Sequence, residues 1–328
     1  MKKEFDVVGI GNVLVDILVK VDDEKIDEFG VKKGVFNPVN EVTIENITKE
    51  IAHLNPKITP AGSCPNTIMG IAALGGKCAL FGKVGKDNYG IFYESFLKQL
   101  KITSNLSVSN EFHTGKCICL ITPDAQRTLV ADLGAARYLE KNDIIENQIK
   151  NTSHLHLTAY ELERPNVREA AISGIVAAKE SGATVSIDLA DPETIKRHRQ
   201  VIDDIVRNHA DILFANESEA KTFTGKENLE EAIDDLSKYA DMVILKIGKD
   251  GSLIKHLEKT YKIPPYPVKA IDTTGAGDLY ASGFLWAYTQ NKPIELCGKI
   301  GSFVASKIVS QIGAILESNL SEDIKHIQ

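Results

Sequence analysis

The chain has 328 residues, of which 43% are hydrophobic and 25% charged, and its formal net charge is −7. This composition excludes a disordered chain and permits one large core or two smaller ones. Because the basic residues are dispersed in an acidic chain, nucleic acid is not expected as a main partner. We also expect no membrane partner and a cytoplasmic location, since no apolar stretch reaches the roughly 18 residues of a membrane span and the start lacks a signal-peptide pattern.

Six apolar runs rich in β-type residues alternate with helical segments along the chain. They cover residues 5–11, 78–84, 154–160, 184–190, 211–216 and 242–248. Residues 164–182 place apolar side chains at helical spacing between two of these runs, as in a right-handed βαβ unit. The alternation predicts a mostly parallel sheet wrapped by helices.

Two regions depart from this alternation. Residues 13–22 and 112–132 consist of short alternating strands with turn residues, which predicts a small antiparallel unit that the chain visits twice. The motif GIGN at 9–12 is not a complete dinucleotide fingerprint, because Leu14 occupies the third glycine position and no helix follows. This incomplete fingerprint disfavours a nicotinamide-dependent enzyme. The sequence also has no Walker A pattern, which disfavours a P-loop ATPase.

Residues 270–288, AIDTTGAGDLYASGFLWAY, place two glycines and a carboxylate at the start of an apolar helix. A helix N-terminus presents unpaired N–H groups and positive partial charge, so the amides from Thr274 to Gly277 can hold a transferring phosphoryl group. Asp278 is either a helix cap or a general base that accepts the proton of an attacking hydroxyl. The residues alone leave these two roles open.

The GAGD turn closely resembles the C-terminal signature of the ribokinase-like (PfkB) family of small-molecule kinases. Residues 60–90, PAGSCPNTIMGIAALGGKCALFGKVGKDNYG, are similar to the N-terminal signature of that family. The resemblance implies a ribokinase-like three-layer α/β/α sandwich with a mostly parallel central sheet and a small antiparallel β lid. The large nucleotide-binding domain would comprise residues 1–12, 41–110 and 136–328, and the lid residues 13–40 and 111–135.

The resemblance also implies the residues of phosphoryl transfer. In the family the Gly-Ala-Gly amides, here Gly275, Ala276 and Gly277, form the anion hole, and the following Asp, here Asp278, is the catalytic base. Arg127 in the lid matches an arginine that in adenosine kinases reaches the transferring phosphate. A solvated strand arginine is the equally weighted alternative.

On the donor side, Asn216 and Glu219 match the Asn-x-x-Glu motif that in the family organises Mg²⁺ and its waters around the phosphates. Their spacing also fits a helix capping box, and both roles can hold together. Thr274 and the turn formed by Lys246, Gly248 and Gly251 lie where the family places its nucleotide. Lys246 stands where many relatives have Thr. ATP and Mg²⁺ are therefore the implied cofactors, and activation by a monovalent cation stays open.

On the acceptor side, Asn12 and Asp16 match family residues that bind ribose hydroxyls, and a carboxylate in an apolar strand requires a polar partner. Gly62, Ser63 and Asn66 match the substrate turn of the first signature. The preceding residue, Ala61, departs from the family's usual paired glycines.

Leu14 and Tyr160 match positions that pack on the nucleoside base in adenosine kinases. Glu193 instead stands where those enzymes tend to have an aromatic ring, so one side of a base sandwich is missing.

The expected function is the ATP- and Mg²⁺-dependent transfer of the γ-phosphoryl group to a primary hydroxyl of a nucleoside or a sugar. Local runs such as GIGNVLVDI and KAIDTTGAGD are more similar to adenosine kinases than to ribokinases. A sugar kinase of fructokinase or ribokinase type is the alternative, and a non-catalytic nucleotide-binding regulator is the alternative from another class. The acceptor and the choice between monomer and homodimer stay open.

Overall fold

The computed structural model describes residues 3–124, 126–316 and 318–327, and in these ranges it contains fourteen strands and eleven α-helices. The strands are β1 Phe5–Ile10, β2 Leu14–Lys20, β3 Phe36–Pro38, β4 Lys57–Ala61, β5 Cys78–Gly85, β6 Thr103–Ser109, β7 Thr114–Ile121, β8 Arg127–Gly134, β9 Thr152–Thr158, β10 Thr184–Asp188, β11 Ile212–Asn216, β12 Met242–Lys246, β13 Ser252–His256 and β14 Lys259–Ile263. The helices are α1 Asp23–Glu28, α2 Glu41–Ile51, α3 Ser63–Ala73, α4 Asn88–Gln99, α5 Glu146–Lys150, α6 Pro165–Glu180, α7 Pro192–His209, α8 Glu217–Thr224, α9 Leu229–Leu236, α10 Ala276–Thr289 and α11 Ile294–Val309.

The large sheet has the strand order β14-β13-β12-β11-β10-β9-β1-β5-β6. The strands from β12 to β6 are parallel, and β13 and β14 add an antiparallel edge. All six predicted strands are present in it. The run predicted to reach residue 160 ends at Thr158, because a capping box between Thr158 and Glu161 starts a 3₁₀ turn.

Helices cover both faces of this sheet, as predicted. Strand side chains alternate between faces, so Phe214 of β11 packs in one core with α3, α10 and α11. Its neighbours in β11 face the other core, which includes α6, α7 and α8. The three-layer α/β/α arrangement is therefore confirmed. In the described ranges, no helix combines the length and the apolar character needed to cross a bilayer.

The small sheet has the order β3-β8-β7-β2-β4. The β2/β4 and β7/β8 pairs are antiparallel, whereas β2/β7 and β3/β8 are parallel, so this sheet is mixed rather than purely antiparallel as we had predicted. The difference arises because β2 and β7 are distant in sequence, and no hairpin fixes their relative direction. Strand β4, inside the range assigned by prediction to the large domain, pairs with β2 in this small sheet.

Candidate active site

The site is centred on the start of α10. Gly275 precedes the helix and has a φ of 74°, a left-handed conformation that favours glycine. A Cβ at this position would also lie only 2.6 Å from Ala314 Cβ. Ala276 and Gly277 form the first helical positions, and the Leu279 amide already donates to the Gly275 carbonyl at 2.8 Å. The predicted glycine turn therefore opens a helix. The Ala276 amide already donates to the Thr273 carbonyl at 3.1 Å, so the amides of Gly275 and Gly277 are the ones that can face a ligand.

The Asp278 carboxylate is held by α3. Its Oδ1 accepts a hydrogen bond from Ser63 Oγ at 2.7 Å, and its Oδ2 accepts one from Asn66 Nδ2 at 2.8 Å. Both oxygens are thereby fixed in one orientation by side chains from a different helix. The structure thus brings together Asp278, Ser63 and Asn66, which the sequence had placed in separate catalytic and substrate groups.

Helices α3 and α10 begin at the same place. The first turn of α3 contacts Asp278, and farther along α3 a Cβ at Gly70 would lie 2.5 Å from Ser282 Oγ. The contacts advance along both helices together, so the helices run in the same direction and their N-termini meet at the site. Two positive dipole ends then point at one spot, which favours an anionic ligand there.

The environment of Asp278 adjusts its acidity. Burial raises the pKa of Asp278 to about 6, and the hydrogen bonds from Asn66 and Ser63 oppose this rise. A carboxyl group with such a pKa is ionised near neutral pH and still basic enough to take a proton from a hydroxyl.

The turn before α3 joins the two sheets. Gly62 has a φ of 118°, and a Cβ at this position would overlap the carbonyl oxygen of Asn12. The Asn12 amide in turn donates to Glu161 Oε1 at 3.0 Å. Asn12, Gly62 and Ser63 are thus neighbours at the point where both sheets adjoin the site.

Asp16 lies on β2 of the small sheet, opposite Cys117 of β7 and Thr59 of β4. Burial and the nearby charge of Asp272 raise the pKa of Asp16 to about 7. Asp272 belongs to the loop before α10, so Asp16 lies within electrostatic range of that loop. The role of Asp16 in binding the acceptor stays a prediction.

Arg127 connects the small sheet to the loop before α10. Its Nη1 lies 2.7 Å from Asp272 Oδ1 and 3.2 Å from Thr274 Oγ1. Asp272 Oδ1 also accepts from the Thr274 amide at 3.0 Å, and Oδ2 from the Gly313 amide at 2.9 Å. Burial alone would raise the pKa of Asp272, but the bonds from Arg127 and these amides outweigh it and lower the pKa to about 2. Arg127 and Thr274 are thus brought together around a carboxylate that the sequence analysis had missed.

Asn216 and Glu219 form a complete capping box at the start of α8. The Glu219 amide donates to Asn216 Oδ1 at 2.9 Å, and the Asn216 amide donates to Glu219 Oε2 at 2.7 Å. Burial raises the pKa of Glu219 to about 7, and the charge of Lys246 opposes this rise. The capping role is confirmed, and the Mg²⁺-linked role stays a prediction.

Lys246 ends β12 and points towards α10. Its Nζ donates to Asp188 Oδ2 at 2.6 Å, and a Cβ at Gly277 would lie 3.1 Å from the same Nζ. Burial lowers the pKa of Lys246, but the carboxylates of Asp188 and Glu219 more than compensate, so the net shift is upwards. Lys246 therefore lies at the helix start rather than in the turn that follows its strand.

The remaining predicted residues surround this centre. Gly248 and Gly251 belong to the turn between β12 and β13. Leu14 starts β2 and packs over Gly115 of β7. Tyr160 lies in the 3₁₀ turn after β9 with 38% of its surface exposed, and its hydroxyl is electrostatically coupled to Asp278.

Three carboxylates of the site were missed by sequence reasoning: Asp188, Asp272 and Glu161. Asp188 and Glu161 follow or end buried strands, and a charged residue at such a position is a usable signal. Asp272 lies in the same segment as the glycine turn, in which the sequence analysis assigned a role only to the carboxylate of Asp278.

Comparisons with known proteins agree with this geometry. The pattern of the pfkB family carbohydrate kinases matches residues 44–321. A 5-dehydro-2-deoxygluconokinase of Clostridium perfringens is 28% identical over 94% of this chain and 88% of its own length. A probable sugar kinase of Rhizobium etli has a TM-score of 0.89 at 28% identity, covering 98% of both chains. The adenosine kinase of Sinorhizobium meliloti has a TM-score of 0.90 at 27% identity, covering 99% of this chain and 100% of that one. The chain therefore belongs to the pfkB family of carbohydrate kinases, which are phosphotransferases with an alcohol group as acceptor.

Proposed function

We propose that this kinase transfers the γ-phosphoryl group of ATP, in the presence of Mg²⁺, to a primary hydroxyl of a sugar or a nucleoside. The observation that carries the proposal is the Asp278 carboxylate, fixed by Ser63 and Asn66 beside the amides of Gly275 and Gly277 at the start of α10. A base and an anion hole are thus side by side, as the reaction requires.

The chemistry follows from that arrangement. The acceptor oxygen forms a bond to phosphorus while the bond from phosphorus to the bridging oxygen of ADP breaks, and the hydroxyl proton passes to Asp278. The amides of Gly275 and Gly277 hold the charge on the phosphoryl oxygens, whereas the Ala276 amide donates to the Thr273 carbonyl. Ser63 and Asn66 keep the carboxylate aimed at the hydroxyl, so that little reorganisation is needed when the acceptor arrives.

The residues present fit a water-mediated Mg²⁺ site. Each oxygen of Glu219 accepts one hydrogen bond from Asn216, and a carboxylate has about four acceptor positions, so each oxygen retains capacity for a metal-bound water. Glu219 and Asn216 would hold the ion through such waters. When bound, Mg²⁺ neutralises phosphate charge.

The acceptor is expected to combine hydroxyls with an apolar portion. Asp16 supplies a carboxylate for hydroxyl groups. Level with it across the small sheet lie Thr59 on one side and a row of Cys117, Ala131 and Pro38 on the other. This apolar row favours an adenosine-like nucleoside. A sugar acid or sugar remains the second candidate, because Glu193 is exposed and paired with Lys196 rather than contributing a ring.

The test is a Mg-ATP assay against nucleosides, pentoses, hexoses and sugar acids, with ADP formation as the readout. We expect ADP production that depends on one acceptor class. Asp278→Asn should fold normally and lose at least about 100-fold in kcat, the scale of general-base catalysis. Asp204→Asn, on the exposed surface of α7, is the matched control and should keep full activity.

Two results would contradict the proposal. ADP formation indifferent to every acceptor would favour a nucleotide-binding regulator. Near-normal turnover by the Asp278→Asn enzyme would remove this carboxylate from the mechanism.

A further inference from the structure

The ion pair between Lys246 and Asp188 is buried at the end of the large sheet that adjoins the candidate active site. Lys246 ends β12 and Asp188 ends β10, so the pair spans β11 at the carboxyl edge of the sheet. The two side chains are only 13% and 5% exposed, and the Lys246 Nζ also lies 6.0 Å from the Phe214 ring centre. A charge is therefore held in a largely water-free position, level with the start of α10.

Stability does not account for this pair. Bringing two charges out of water costs several kcal/mol per ion, and apolar residues of similar size often serve a core equally well. Strand β12 is in fact apolar up to Lys246, and in β10 the residues before Asp188 include only uncharged polar side chains, those of Thr184 and Ser186. A charged pair at their ends is therefore better explained by a ligand that uses it.

The position of the ammonium identifies the charge of that ligand. A Cβ at Gly277 would lie 3.1 Å from Nζ and 3.8 Å from Cε, so the Lys246 amine adjoins the first turn of α10. A helix N-terminus carries positive partial charge and disfavours a cation. Asp188 offsets this repulsion on one side of the amine, and an anion at the open amides would offset it on the other.

We propose that Lys246 contacts the phosphoryl group during its transfer and that Asp188 is the positioning residue that holds the ammonium in place. This inference rests on the kinase function proposed above and deepens it. As the bond from the acceptor oxygen to phosphorus forms and the bond to ADP breaks, the ammonium of Lys246 neutralises charge on the phosphoryl oxygens. Lys246 gives up no proton in this step, and the hydroxyl proton still passes to Asp278.

The two residues differ in their expected effects. Lys246→Met removes the phosphoryl contact, so kcat should fall about 100-fold, as for the loss of one transition-state donor. Asp188→Asn keeps the ammonium of Lys246 but removes its ion-pair partner, so kcat should fall about 10-fold. The double variant should be no worse than Lys246→Met alone, because Asp188 acts only through Lys246.

Binding gives a readout that is independent of turnover. Calorimetric titration with Mg-ATP and Mg-ADP should show that Lys246→Met weakens ATP by about 10-fold, the scale of a charged hydrogen bond, and ADP by less than about twofold. A purely structural lysine would change both affinities alike. The control is Lys255→Met, which removes the ion pair with Asp234 on the neighbouring strand β13 and should change neither.

Lys246→Met leaves Asp188 buried without its partner, so the double variant, which removes both charges, also serves as the folded background if the single variant unfolds. A kcat within about threefold of the wild type in either variant overturns the proposal, and so does an equal loss of ATP and ADP affinity. If the wild type shows no acceptor-dependent turnover, the proposed function fails, while the ATP-to-ADP affinity ratio still decides the role of Lys246.

Discussion

Asp272 and Asp278 lie six residues apart, and their pKa values move in opposite directions. Burial raises the pKa of Asp278 to about 6, and its two neutral donors, Asn66 and Ser63, only partly oppose this rise. Asp272 is also buried, but an arginine and two backbone amides lower its pKa to about 2. Only Asp278 is therefore suited to exchange a proton near neutral pH, although the two are the same residue type in one segment.

Ser63→Ala should shift the acid side of the pH–rate profile upwards. The Ser63 hydroxyl stabilises the ionised form of Asp278, so its removal should raise the pKa of that carboxyl above about 6. Because the base must be ionised, kcat/KM should then begin to fall at a higher pH than in the wild type. The measurement is kcat/KM from pH 5 to 9.

Ser95→Ala is the matched control, since Ser95 is exposed on α4 and bonds only to its own helix at Ile91. An acid limb that stays at the wild-type pH in the Ser63 variant would show that another group limits the rate.

Helices α3 and α10 are joined at Asp278, because this carboxylate is on α10 and its two side-chain donors, Ser63 and Asn66, are on α3. This relation was not accessible from sequence. The two signatures identified Asp278, Ser63 and Asn66 separately, yet contacts between residues more than two hundred positions apart depend on packing that no local pattern encodes. Six of the nine strands of the large sheet, in contrast, were recognised, since buried parallel strands are continuous apolar runs; the strands at its edges, β6, β13 and β14, were not.

The small sheet shows the same limit. Its alternating strands were identified, but the parallel β2/β7 pairing was not, because strand direction between distant segments is set by tertiary contacts rather than by a turn. Asp188 was missed for a related reason: its significance depends on Lys246, which lies two strands away in the sheet.

Gly70→Ala should reduce kcat by about 10-fold with only a moderate loss of stability, about 1–3 kcal/mol, as is typical of overpacking. The new methyl group would lie 2.5 Å from Ser282 Oγ and would push α3 away from α10, which displaces Ser63 and Asn66 from Asp278. Steady-state kinetics and chemical denaturation measure the two effects.

Adding Ser282→Gly removes the contacts with Ser282 Oγ and Cβ, but it leaves the one with Leu279 Cδ1 at 2.7 Å, so it should restore part of the lost kcat. Failure of this second change to rescue activity would show that the helix spacing does not control the base.

At the scale of the whole molecule, buried carboxyl groups make folding depend on pH. Glu161 is 1% exposed, and burial raises its pKa to about 7, against the hydrogen bonds from Thr158 and the Asn12 amide. The folded protein therefore binds a proton at Glu161 more tightly than the unfolded chain does. Its contribution to stability is fully present below the unfolded pKa of 4.5 and is lost as the pH rises to about 7.

Glu161→Gln should remove this dependence. Between pH 5 and 8 the wild type should lose about 3 kcal/mol of unfolding free energy through this group, whereas the variant should show a correspondingly flatter profile. Denaturant unfolding at several pH values gives the comparison. Glu163→Gln, two positions farther along and more exposed, is the control. Parallel profiles for the wild type and Glu161→Gln would contradict the assignment.

The path of the chain through Gly62 has a mechanical consequence. Strand β4 leaves the small sheet at Ala61, and α3 begins at Ser63, so a single constrained residue separates the acceptor-facing sheet from the helix that aims the base. Because only Gly62 separates β4 from α3, a tilt of the small sheet would also displace Ser63. A molecule that binds against the small sheet is therefore expected to change the orientation of the Asp278 carboxylate through Ser63.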